Sequence, residues 1–334
     1  MKAVRLNGPG VVEVADVDEV FLRQDEVLLK VKMVGMCGTD LNTYRGRNAM
    51  VEFPRVIGHE IAATVVSNGG DLANGTAVAV SPYSQCGTCV ACLRGRPNAC
   101  VSNETMGVQR DGAMTEFVGV PREKLYPARL SLKELCLVEP LTVGFHAVAR
   151  GRVSAEDTVA VFGCGGIGLG AIAASVFRGA RTIAIDVDPD KLEIARKAGA
   201  VHLINTKVYS VHQALQQITD GHGPDVVIEA IGLPETFRAA VEEVAFTGRV
   251  VYIGYAKEPV AYETRLFVQK ELDILGSRNA LPGDFREVIR MLEAGRFPVD
   301  EAIGQIVPME DASRLLASWS AAPGSFKKIL VQID

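Results

Sequence analysis

Gly163-Cys164-Gly165-Gly166-Ile167-Gly168 follows a continuous apolar run, Thr158–Phe162, and leads into a helical pattern, Gly168–Phe177. A G-x-G-x-x-G run means little in a glycine-rich chain, but between a strand and a helix it has a mechanical role. The first glycine permits the tight turn, the second lets backbone approach a pyrophosphate, and the third lets helix and strand pack closely. The helix start then offers free N–H groups and a partial positive charge to phosphate. Gly163, Gly165, Gly166, Ile167 and Gly168 are therefore the expected dinucleotide seat.

The pattern continues outward. A second apolar strand, Thr182–Ile185, ends at Asp186, where a carboxylate accepts hydrogen bonds from ribose hydroxyls and repels a 2′-phosphate. Asp188 adds negative charge and no Arg adjoins, so NAD is expected over NADP. Lys191 is a further candidate for the ribose. Helical Pro189–Ala198 and strand patterns at Val226–Ile231 and Val250–Ile253 follow. Apolar strands alternating with helices indicate βαβ units in a parallel sheet covered on both faces, a Rossmann-type doubly wound α/β domain.

The 334 residues exceed what one core usually holds, so two domains are expected. Up to about residue 140 the chain has short alternating runs, such as Val27–Lys32, cut by turn signals such as Asn7-Gly8-Pro9-Gly10. That reads as a mostly β domain of barrel type. After about residue 280, helical patterns at Phe285–Glu293 and Asp311–Ala317 precede a closing strand, Lys328–Ile333. The expected division is 142–280 for the dinucleotide domain, and 1–141 with 281–334 for a discontinuous second domain. Net charge of −5 with scattered Lys and Arg excludes the basic stripe that nucleic acid requires. No apolar stretch is long enough for a membrane span and no secretory signal opens the chain, so a cytoplasmic protein is expected.

Of seven cysteines, four lie together as Cys86-x-x-Cys89-x-x-Cys92-x₇-Cys100. Four thiolates close a tetrahedral sphere, so this lobe is expected to hold a structural zinc that no substrate can reach. Cys37, in Gly35-Met36-Cys37-Gly38-Thr39-Asp40, and His59, in Gly58-His59-Glu60, are flanked by glycine, as a backbone turning around a metal would be. Cys136 reads as core packing.

These motifs, with Gly107–Phe117 and the glycine-rich fold that follows, resemble the zinc-containing medium-chain dehydrogenase/reductase family over essentially the whole chain. Glu139-Pro140-Leu141-Thr142-Val143 is similar to its sorbitol and threonine dehydrogenase branch. The resemblance implies a GroES-like catalytic domain, a catalytic zinc held by Cys37, His59 and Glu139, and Glu60 as an exchangeable or nearby carboxylate. It implies Thr39 as proton relay, a homo-oligomer, and hydride transfer between a secondary alcohol and NAD. Asn42 stands where relatives often carry His, which removes an alternative proton path. Tyr44, Arg47, Arg278 and Asn279 are candidate substrate contacts, and several polar candidates suit a polyol, sugar or sugar acid. A zinc-free reductase of the same fold and a non-enzymatic zinc module remain alternatives, separable by two, none or one zinc per chain.

Overall fold

The computed structural model describes residues 1–322, 324 and 327–334. The chain forms two compact units, Met1–Glu139 with Val299–Asp334, and Pro140–Pro298. The later break falls at Pro298/Val299, not at the expected 280/281. The reason is the helix Pro282–Glu293, whose Phe285, Val288 and Met291 are buried. Its Asp284 Oδ2 meets His146 Nδ1 at 2.8 Å and its Glu287 Oε2 meets Arg178 at 3.1 Å, so it is tied to the second unit.

In that unit six strands form one parallel sheet in the order His202–Asn205, Arg181–Asp186, Thr158–Phe162, Val226–Glu229, Arg249–Tyr252, Asp273–Gly276. The chain starts at Thr158–Phe162, builds to one side, then crosses to Val226–Glu229 and builds to the other. Ligands of such sheets bind at this switch point, beyond the carboxyl ends of the strands. The central strands are mostly apolar because helices cover both faces, and Ile183, Ile185, Val227 and Val250 are fully enclosed. The glycine-rich turn behaves as its spacing predicts. Gly163 has φ +95°, and a Cβ on Gly168 would stand 1.8 Å from the Gly163 carbonyl oxygen.

The first unit holds a seven-stranded sheet. Its path runs Ile303–Pro308, Lys328–Gln332, Glu26–Met36, Glu60–Ser67, Ala77–Val80, Leu125–Pro127, with Phe117–Pro121 also pairing to Glu26–Met36. A smaller sheet joins Val11–Asp16, Lys2–Gly8 and Arg55–Val56. Alternation along Glu26–Met36 buries Val27, Leu29, Val31 and Val34 in a core with Ile57, Ile61, Val78 and Leu316. The long Glu26–Met36 strand lies between Glu60–Ser67 and Lys328–Gln332, and the site is built at its far end. Among the described residues no helix is long and apolar enough to cross a membrane.

Gly168→Ala is expected to lower stability by about 1–3 kcal/mol, the usual cost of forcing a methyl into packed backbone. Denaturant midpoints of the two chains check it, and an unchanged midpoint contradicts the close approach.

Candidate zinc and dinucleotide sites

Strand register assembles the first site. Gly35 pairs with Glu60 on one side of the central strand, and Met36 pairs with Ile329 on the other. Cys37, the next residue, thus emerges beside Glu60 and Lys328. Gly35 has no side chain where the Glu60 carboxylate must lie: a Cβ there would meet Glu60 Oε2 at 2.1 Å. Cys37 starts the short helix Gly38–Tyr44, whose Asp40 Oδ2 accepts the Cys37 N–H at 2.8 Å. Asp40 Oδ1 accepts the Gly58 N–H at 3.4 Å and stands 4.0 Å from His59 Nδ1. One buried carboxylate therefore fixes both the Cys37 turn and the segment carrying His59.

Ligand atoms of Cys37, His59 and Glu60 all lie within 4.8 Å of one another. All three belong to the expected set of Cys37, His59, Glu139 and the exchangeable or nearby carboxylate Glu60. Glu139, on the helix Leu132–Arg150 directly before Pro140, receives the Tyr83 hydroxyl on Oε1. Glu60 is in turn engaged by Lys328, whose ammonium donates to Oε1 at 2.6 Å, to Oε2 at 2.8 Å and to the Met36 carbonyl at 3.1 Å.

Crowded buried anions shape the protonation of this pocket. Burial opposes charge on the His59 imidazole, but Cys37, Asp40 and Glu139 prevail and hold its pKa well above the usual value. Burial pushes Asp40 up, with His59 opposing. Burial also pushes Glu139 up, opposed by His59 and Tyr83. Burial and the Glu139 charge hold the Tyr83 phenol protonated. Burial works against the Lys328 charge, and Glu60 and Cys37 more than offset it. His59 Nδ1 is buried with no hydrogen-bond partner. An orphaned imidazole nitrogen backed by a carboxylate, beside a thiol and carboxylates, fits a borderline-soft dication. Cys136 is fully buried and its thiol is pushed far up by burial, in keeping with a packing role.

The four-cysteine lobe forms the second group, again with all ligand atoms within 4.8 Å. Cys100 Sγ lies 3.5 Å from Cys86 Sγ, and Cys89 Sγ lies 3.6 Å from Cys92 Sγ. The N–H of Cys89 points at Cys86 Sγ at 3.3 Å, and that of Cys86 at Cys100 Sγ at 3.4 Å. Amide donors from Thr88 and Cys89 pull the Cys86 thiol down to about 6, while burial pushes Cys92 up to about 11. A metal bound here would replace the remaining thiol protons, and four sulfurs would leave it no open position.

In the second unit Gly165 caps the helix Gly166–Phe177, and Gly165 and Gly166 are exposed. Asp186 Oδ2 accepts the Cys164 N–H at 2.7 Å and Oδ1 accepts the Asp188 N–H at 3.0 Å, which fixes the carboxylate at the loop. Lys191 Nζ sits 4.0 Å from Asp188 Oδ2 on the following helix. Thr39 Oγ1 is 3.6 Å from Cys37 Sγ and half-buried. Tyr44 packs its ring against the first unit's core and Arg47 is exposed. Arg278 and Asn279 belong to the second unit. Sequence reading missed Tyr83, Lys328 and the organising role of Asp40. Asp40 carried a signal, as the third residue of a helix capped by Cys37; Tyr83 and Lys328 carried none, because their partners are 56 and 268 residues away.

Comparison with known proteins agrees with this architecture. Residues 23–130 match the alcohol dehydrogenase GroES-like domain, and 166–294 match the zinc-binding dehydrogenase domain. The chain is 34% identical to the L-galactonate-5-dehydrogenase of Escherichia coli K12, over 83% of this chain and 82% of the relative. It is 34% identical to the sorbitol dehydrogenase of Bacillus subtilis, over 83% and 81%. An Escherichia coli CFT073 alcohol dehydrogenase complexed with NADH superposes with a TM-score of 0.91 at 28% identity, covering 100% of this chain and 99% of that one. A zinc-binding dehydrogenase from Sinorhizobium meliloti 1021 bound to NADP gives 0.92 at 30% identity, covering 99% of each. The chain belongs to the zinc-type medium-chain dehydrogenase/reductase family, the alcohol dehydrogenases, and is an oxidoreductase. The non-enzymatic and zinc-free alternatives are not favoured.

Gly35→Ala is expected to destabilise the first unit by about 1–3 kcal/mol and to displace the Glu60–Lys328 pair. Gly38→Ala, with nothing within 4 Å of the added carbon, serves as control. Equal thermal midpoints for the two variants contradict the crowding at Gly35.

Proposed function

We propose that this enzyme transfers hydride between a secondary alcohol carbon of a polyol, sugar or sugar acid and NAD, giving the ketone, with two zinc ions per chain. The observation that carries the reading is the convergence of a thiol, an imidazole and a carboxylate within 4.8 Å of one another in the GroES-like unit.

Charge favours a particular division of labour. Cys37 as thiolate and Glu139 as carboxylate match a dication, with His59 as the neutral third ligand. Glu60 is already matched by Lys328 at 2.6 and 2.8 Å. Drawing Glu60 fully to the metal would strip a buried ammonium of its partner, a costly exchange. Glu60 is therefore the nearby carboxylate and Glu139 the ligand. The lobe of Cys86, Cys89, Cys92 and Cys100 would hold the structural ion. When bound, the catalytic zinc lowers the proton affinity of an alcohol and NAD accepts the hydride.

The chain's own residues do the rest. Thr39, in the first turn after Cys37, takes the alcohol proton on its hydroxyl and passes it onward. The helix start in the Gly163–Gly168 turn seats the pyrophosphate with its N–H groups, and Asp186 takes the ribose hydroxyls, with Lys191 beside it. Structural relatives hold NADH in one case and NADP in another, so the preference for NAD rests on Asp186. The relatives named for L-galactonate and sorbitol support a polyhydroxylated substrate, with Tyr44, Arg47, Arg278 and Asn279 as candidate contacts. A homo-oligomer fits the family.

Metal analysis and a panel of polyols, sugars and sugar acids assayed with NAD test the reading. Two zincs per chain and turnover on a polyhydroxy substrate are expected; a fully loaded chain inert to the whole panel sinks it. A chelator should remove the zinc at Cys37 before the one in the all-sulfur lobe, since oxygen and nitrogen donors hold zinc less tightly than four thiolates. Simultaneous loss contradicts the ligand sets. Asp186→Ser should raise the NADP/NAD ratio of kcat/KM by about tenfold or more, equivalent to about 1.4 kcal/mol; an unchanged ratio refutes the role of the carboxylate.

A further inference from the structure

The segment carrying the four cysteines leaves the sheet after Ala77–Val80, and its two roots are zipped together by hydrogen bonds. Tyr83 faces Thr105 in an isolated antiparallel bridge. Ser84 N–H donates to the Glu104 carbonyl at 3.0 Å, and Glu104 N–H donates to Ser84 Oγ at 2.7 Å. Asn103 Nδ2 donates to the Ser84 carbonyl at 2.8 Å, and Met106 N–H to the Pro82 carbonyl at 3.0 Å. Tyr83 belongs to this zip, three residues before Cys86, yet its hydroxyl donates to Glu139 Oε1 on a helix remote in sequence.

Both side chains are only 6% exposed, so water does not compete for the bond. A helical glutamate has several staggered rotamers open to it, and its terminal torsion is soft. A buried donor held at one carboxylate oxygen narrows the choice among them. We infer that Tyr83 is the positioning residue of the catalytic zinc site: its hydroxyl fixes how the Glu139 carboxylate faces Cys37 and His59, and anchors that geometry to the root of the cysteine lobe. The inference rests on the zinc reading above and deepens it, since it gives the structural lobe a direct hydrogen-bonded link to the reacting site. A phenol suits the task. Its ring is held in the buried root while its hydroxyl reaches out to Glu139 Oε1. Partners that orient a metal ligand typically govern metal affinity by 10–100-fold when removed.

The test compares the parent chain, Tyr83→Phe, Glu139→Ala and the double variant, with zinc content and zinc affinity read by competition against a chromophoric chelator. Tyr83→Phe keeps the ring and removes the donor. It should weaken the weaker-bound zinc about 10- to 100-fold, leave the lobe zinc in place and alter the visible spectrum of cobalt-substituted protein. In the Glu139→Ala background the same change should alter affinity by less than about threefold, because its partner is gone. Tyr83→Leu, which tolerates local repacking differently, should reproduce the loss seen with Phe. Retained lobe zinc reports that the variants are folded. Parent-like affinity in Tyr83→Phe overturns the inference. So does an equal loss with and without Glu139, which assigns Tyr83 to packing. A parent chain that binds only the lobe zinc overturns the zinc reading itself, a result distinct from either.

Discussion

Buried negative charge is the constraint around which the first unit is organised. Cys37, Asp40, Glu60 and Glu139 meet in a nearly dry pocket, with His59 and Lys328 as the positive or protonatable groups facing them. Several carboxylates withdrawn from water cannot all stay ionised unless cations or donors stand against them. The fold answers in pieces. Lys328 closes on Glu60, backbone N–H groups of Cys37 and Gly58 close on Asp40, and the Tyr83 hydroxyl closes on Glu139. What remains is a thiol, an imidazole pulled toward protonation and a carboxylate pulled toward neutrality. A dication bound to that set would displace protons, so metal uptake and proton release would be coupled.

None of this would converge without the registers of a single strand. Glu26–Met36 places Gly35 against Glu60 and Met36 against Ile329, so residues from three distant parts of the chain arrive at one end of one strand. A slip by one residue would turn every side chain to the opposite face. The alternating apolar residues that bury Val27, Leu29 and Val31 therefore also fix where Cys37 emerges. The second unit solves its problem with neutral dipoles instead. Its proposed ligand face is made of glycine N–H groups and one carboxylate, Asp186, held by two backbone donors.

Local patterns were legible where the physics is local. The Thr158–Phe162 strand, the glycine-rich turn, Asp186 at the end of Arg181–Asp186 and the four-cysteine spacing are all read from neighbours in sequence. Less visible were elements whose identity depends on packing. The helix Leu132–Arg150 contains Pro140, a residue that ordinarily argues against a helix interior, and the short strands His202–Asn205 and Asp273–Gly276 lack clear periodicity. The helix Gly38–Tyr44 passed unnoticed among strands. At the site, residue types near glycine pointed to Cys37 and His59, but sequence could not reveal that Lys328 would occupy Glu60. That pairing depends on the antiparallel pairing of Lys328–Gln332 with Glu26–Met36 and a carbon missing from Gly35.

The zipped roots of the cysteine lobe have an evolutionary consequence. Because Ser84 and Glu104 already meet backbone to backbone, the nineteen intervening residues form a detachable cap: a tight turn at that point would reconnect the chain without altering a strand of the sheet. Lineages could gain, shorten or discard such a cap while Tyr83, on the near side of the cut, stayed in place. Variation in length would then concentrate beyond Ser84, and the hydroxyl three residues before the first cysteine would mark the border between what can be trimmed and what cannot.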